Sequence, residues 1–102
     1  MTEWTEATVA QRLREAARAR RRLEQHLDSE VSSASVLARA SEARRWTGWL
    51  ELHDRELVSL RSAGVAWKPV CWRLGMSRAT AHRRWRSSLR LIAERLNRGM
   101  AA

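Results

Sequence analysis

The chain has 102 residues, enough for one small domain with a modest core. Its 20 basic and 11 acidic residues give a formal net charge of +9. One cysteine allows no internal disulfide and points to a reducing compartment, and no apolar run approaches the length of a membrane span. Glu3 and Glu6 precede any apolar stretch, which is not a signal-peptide pattern, so the expected location is the cytoplasm.

Alanine, arginine, leucine and glutamate dominate, and the expected fold class is all-α. Residues 1–27 read as one helix, with Thr2 or Thr5 as caps. Thr2 is followed three residues later by Thr rather than Glu, so no capping box is expected there. Val9, Leu13, Ala16, Leu23 and Leu27 form a narrow apolar stripe suited to packing on another helix. The Arg18–Arg22 run reads as a solvated face paired with Glu15 and Glu24, with phosphate contact as the alternative. Residues 28–35 are small and polar and break the helix.

Ser33 or Ser35 is expected to cap a second helix reaching about Leu52. Val36, Leu37, Ala40, Ala43, Trp46, Trp49 and Leu50 form its buried side. Core packing is favoured over a ligand cage for the two tryptophans. Gly48 reads either as a point of close helix approach or as a weak spot. Asp54 is expected to cap a third helix, 55–63, with Leu57, Val58 and Leu60 inward and Gly64 as its stop.

Trp67, Lys68 and Pro69 open a fourth helix, proline being tolerated in a first turn. Val70 and Leu74 share its inner face, Cys71 reads as a small packing residue, and Trp72 points away from that face. Gly75 suits positive φ, Met76 can plug the angle, and Ser77 can cap the next helix. That last helix runs from Arg78 to about Arg98, with Ala81, Trp85, Leu89 (or Ser88), Ile92 and Leu96 as its stripe and Gly99 as its end. The expected architecture is two N-terminal helices followed by a three-helix unit. Residues 1–52 form a helical pair for packing or oligomerisation, and 53–102 a helix-turn-helix with a long recognition helix.

Charge is distributed unevenly. Residues 1–60 balance 10 arginines against 10 acids, whereas 61–102 hold nine arginines and Lys68 against Glu94 alone. A general arginine bias would not confine the excess to one half, and a polyanion binder would. Arg78, His82, Arg83 and Arg86 share one side of the last helix and are the expected base contacts, since arginine pairs bidentately with guanine. Lys68, Arg73, Ser77, Thr80, Arg84 and Arg90 are the expected phosphate contacts. His26, His53 and His82 have no Cys or carboxylate at metal-ligand spacing, and no phosphate loop or nucleophile motif appears. No catalysis, metal or cofactor is expected.

On Gly64, Trp67, Val70, Leu74, Gly75, Met76, Ser77, Thr80, Ala81 and Trp85, the run from about Asp54 to Arg95 resembles the helix-turn-helix of sigma-factor region 4 and its relatives among bacterial response regulators. The fuller string from Trp46 to Asn97 is similar to small uncharacterised helix-turn-helix proteins of bacteria and their prophages. Ala66 stands where relatives usually carry a Ser cap. Ala79 and Thr80 are short where sigma factors often read bases, so no sequence preference carries over. The resemblance implies double-stranded DNA as partner, and RNA polymerase as a further one. A single motif of this kind rarely gives high specificity alone, so a homo-oligomer, with a dimer favoured, is expected. The leading expectation is a bacterial or prophage transcriptional regulator. The alternatives are a phage small terminase subunit, which usually places its DNA-binding motif first, and a sigma-like module that docks a protein without reading DNA.

Overall fold

A computed structural model describes residues 3–25 and 33–101. The fold is all-helical, with α1 (Glu6–Gln25), α2 (Ser33–Thr47), α3 (Leu52–Ser62), α4 (Trp67–Leu74) and α5 (Arg78–Ala101), and no strand among the described residues. The two expectations that fall on Thr2 and Leu27 lie outside the described residues, as does most of the 28–35 break.

Helix α1 starts at Glu6, not at the beginning of the chain, because the preceding backbone is otherwise engaged. The Trp4 N–H donates to Asn97 Oδ1 at 2.8 Å, and Asn97 Nδ2 donates back to the Trp4 carbonyl at 3.0 Å. The Thr8 N–H then donates to Thr5 Oγ1 at 3.2 Å while the Thr5 N–H donates to Thr8 Oγ1 at 2.8 Å. This reciprocal pair is a capping box in which a hydroxyl replaces the usual carboxylate. Arg12 pairs with Glu42 at 2.9 Å, and Arg39 pairs with Glu15, so α1 is tied to α2 by two ion pairs. Glu15 therefore reaches across to α2, not to the arginines of its own helix.

Helix α2 stops at Thr47, five residues before the expected end. The Thr47 hydroxyl donates to the Ala43 carbonyl at 3.0 Å, a side-chain bond that bends helices. Arg55 closes the exit by donating Nε to the Thr47 carbonyl and an η nitrogen to the Leu50 carbonyl, each at 3.2 Å. Gly48 sits in this turn, where a Cβ would meet the Arg44 and Arg45 carbonyls at 3.2 and 3.3 Å. The helix ends immediately before this glycine, in keeping with the weak-spot reading, and the groups closest to it are carbonyls of its own helix. Leu37, expected inward, is more than half exposed.

Helix α3 begins at Leu52, and its N-cap residue is Glu51, with no side-chain cap bond. Asp54, the expected cap, lies inside the first turn and pairs with Arg84 instead, Oδ1 to Nη1 at 3.0 Å. Gly64 leaves the helix at φ +91°. Helix α4 has Ala66 at its N-cap, again without a side-chain bond, and ends at Gly75 with φ 65° and ψ 37°. The Met76 N–H donates to the Cys71 carbonyl at 3.1 Å, so the left-handed residue satisfies a terminal carbonyl. Ser77 Oγ accepts from the Thr80 N–H at 3.1 Å and caps α5 as expected. That helix passes through Gly99 to Ala101, because glycine disfavours a helix without forbidding one.

Two apolar clusters hold the helices. Leu57, Val70 and Leu74 bind α3 to α4, with Met76 packed on the cluster. Val9, Ala10 and Leu13 of α1, Trp46 of α2, Leu50, Val58 of α3, and Leu89, Ile92 and Ala93 of α5 form the larger one. Trp85 packs against both. The C-terminal half of α5 is therefore the surface on which α1 rests, and its N-terminal turns remain beside α4.

Candidate functional site

The outer surface of α4 and α5 carries most of the chain's excess charge. Between Glu56 and Glu94 the sequence contains no acid. With about 3.6 residues per turn, Ala79, Arg83, Arg86, Ser87 and Arg90 fall opposite Ala81, Ser88 and Ile92, and all five are exposed. Gly75 and the Ser77 cap set the start of this helix, so local backbone chemistry decides where the row of arginines begins.

The ten expected contact residues are held differently. Arg78 and Arg83 are exposed and have no acidic partner among the described residues; Arg83 only approaches Thr80 Oγ1 at 3.5 Å. Lys68 is exposed, its ammonium 5.4 Å from the centre of the Trp72 ring. Arg73 lies 3.4 Å from Glu56. Arg86 and Arg90 lie 4.0 and 3.6 Å from opposite oxygens of Glu6, which the Trp4–Asn97 clasp and the Thr5 cap bring to the side of α5. Arg84, an expected phosphate contact, is bound to Asp54 and links α5 to α3. Ser77 and Thr80 bond to each other, hydroxyl to hydroxyl, at 3.0 Å.

His82, expected on the outer face, is half-buried. Its imidazole stacks on Trp67, with ring centres 3.9 Å apart and planes at 23°. The Arg61 guanidinium lies 4.3 Å from the same Trp67 ring and donates to the Val65 carbonyl at 2.7 Å. Trp85 meets Trp67 edge-on at 6.3 Å. Burial, with the nearby Arg14 charge adding to it, lowers the Arg61 pKa from its ordinary value. This stack fixes the angle between α4 and α5. It also shows why helical spacing alone misplaced His82, since its neighbour comes from another helix.

Sequence reasoning missed Glu6, Asp54 and Ser87 as members of this region. The two acids lie 30 to 84 residues from their arginine partners along the chain, and nothing local signals the pairing. Ser87 follows from extending the outer face by one turn beyond Arg83. No group of three or more His, Cys, Asp or Glu able to hold a metal occurs among the described residues, and none of the described helices is long and apolar enough to cross a membrane.

A family described as a domain of unknown function, DUF6362, matches residues 4–92, and the chain belongs to that family. No curated protein and no solved structure matches the chain. The matched span includes Trp4, the α4–α5 turn and the arginine row, and stops short of Asn97.

Proposed function

We propose that the protein binds double-stranded DNA through α4 and α5 acting as a helix-turn-helix, and serves as a bacterial or prophage transcriptional regulator. The carrying observation is the exposed row of Arg83, Arg86 and Arg90 on α5, a helix with a capped N-terminus and no acid of its own before Glu94. In this reading the first turns of α5 enter the major groove, where Arg83 and Arg86 read base edges and Arg78 reaches an edge or phosphate. The short Ala79 lets the helix approach closely. Lys68, Arg73, Ser77, Thr80 and Arg90 take phosphates, and the Thr80–Ser77 pair presents hydroxyls at the helix N-terminus. Arg84 supports this surface through Asp54, and His82 through Trp67.

Trp72 favours a second reading. This residue is 78% exposed beside Lys68, and tryptophan is enriched at protein contacts. A sigma-like module docking a polymerase surface would use it.

Binding of fluorescent genomic fragments, followed by anisotropy at 50 and 200 mM salt, tests the first reading. Six neutralised phosphates would weaken binding about a thousandfold over that interval. Arg83→Ala should reduce affinity for a preferred fragment by about 5- to 150-fold, the worth of one base contact at about 1–3 kcal/mol. Its circular dichroism should match the wild type, because Arg83 holds no acid or backbone group. Equal binding by wild type and variant would place the interface elsewhere.

A further inference from the structure

A cleft of about 410 Å³ opens between α1, α2 and α3, away from the arginine row of α5. Its size falls in the range of about 300–1,000 Å³ typical of small-molecule sites. It exists because the facing positions of the three helices are small. Ala16 and Ala17 on α1 and Ala40 and Ala43 on α2 stand where leucines would fill the space. Leu13 and Val58 line it with apolar surface.

Its charged groups are mostly of one sign. Four arginines line the cleft against a single carboxylate, Glu24. Arg21 and Arg55 are fixed by donating to carbonyls at the ends of α3 and α2, at 2.8 and 3.2 Å, which orders their guanidinium groups. Arg20 and Arg44 are exposed and have no ion-pair partner among the described residues. Ser62 also lines the cleft, and its Oγ is shielded from solvent with no hydrogen-bond partner. A buried hydroxyl of this kind ordinarily finds a partner. An apolar lining together with four arginines suits a carboxylate carried on a hydrocarbon body.

We infer that this cleft binds a small organic monocarboxylate, its hydrocarbon part against Leu13, Ala17, Ala43 and Val58 and its carboxylate held by Arg20 and Arg44. The site is separate from the proposed DNA surface and does not depend on it. The bound molecule would bridge α1 and α2 to the end of α3, from which the chain passes through Gly64 into α4.

The test is calorimetric titration of the full chain, without DNA, with octanoate and with its neutral counterpart octanamide. Octanoate should bind with a Kd on the order of 0.1–1 mM, within reach of a ligand of about ten non-hydrogen atoms, and octanamide at least about tenfold more weakly. Arg20→Ala combined with Arg44→Ala should bring octanoate to the octanamide level, since neither change breaks an ion pair. Ala17→Leu should fill the cleft and abolish binding while the unliganded melting temperature holds or rises. Absence of octanoate binding to the wild type would overturn the inference. So would equal binding of octanoate and octanamide, or binding that survives Ala17→Leu.

Discussion

Replacing Glu6 with glutamine removes a carboxylate that lies 3.6 Å from Arg90 and 4.0 Å from Arg86. Both guanidiniums are well exposed, at 62% and 72%, and Glu6 is 35% exposed, so solvent screens the attraction. In water two unit charges about 4 Å apart attract by about 1 kcal/mol, and exposed pairs measure about 0–1 kcal/mol. The fold should therefore lose less than about 1 kcal/mol, including a small loss of helix-dipole interaction at the start of α1. DNA binding should move the other way. Phosphates and Glu6 compete for the same two arginines, so removing the competitor contributes up to about 1 kcal/mol, or up to roughly fivefold in affinity. Each newly engaged phosphate should steepen the slope of log K against log salt by about 0.9. Anisotropy titrations of wild type and Glu6→Gln from 50 to 200 mM salt read both quantities, and urea denaturation reads the stability. An affinity and slope identical to wild type, for a wild type that does bind, would refute the idea that Arg86 and Arg90 meet DNA. Tighter binding with unchanged slope would mean that Glu6 repels DNA at a distance without holding either arginine.

Two further predictions concern the scaffold. Ile92→Ala should cost about 2–5 kcal/mol in urea denaturation, because Ile92 is fully buried in the cluster joining α1, α2, α3 and α5. The adjacent Leu91→Ala, at 41% exposure, should cost less than about 1 kcal/mol; equal costs would mean that α1 does not rest on α5 in solution. Gly75→Ala should cost about 1–2 kcal/mol from its left-handed backbone alone, since a Cβ there meets nothing within 4 Å. At this chain length that corresponds to a fall in melting temperature of roughly 5–15 °C, and an unchanged melt would show that the α4–α5 turn relaxes at no cost.

The parts of the fold written in adjacent residues were legible. Gly75 and Ser77 announce a helix stop and start, and Val70, Leu74, Ala81, Leu89 and Ile92 lie inward as their periodicity requires. The end of α2 was not legible, because Trp49 and Leu50 continue the apolar pattern. What stops the helix is a glycine turn closed by Arg55 from the next element. Asp54 carries the signature of a cap, and only the approach of Arg84 reveals its actual partner. His82 has the right spacing for an outer face, and an aromatic surface from α4 draws it inward. In each case the competing interaction comes from a residue distant in sequence, beyond what periodicity or capping preference can report. The outward placement of Arg83 and Arg86 needed only the helical repeat.

The clasp between Trp4 and Asn97 joins residues 93 apart, and it bears on how the chain acquires its shape during synthesis. Leu57, Val70 and Leu74 lie within 18 positions of one another, so α3 and α4 can settle together early. Val9, Leu13 and Trp46 emerge from the ribosome first, yet their cover is Leu89, Ile92 and Ala93, which emerge much later. Through most of translation α1 and α2 present an uncovered apolar side, the kind of surface that chaperones hold and that aggregates when crowded. Helices α1 and α2 are thus made before α5 yet wait for it to be buried, and conditions that slow elongation through α5 prolong their exposure.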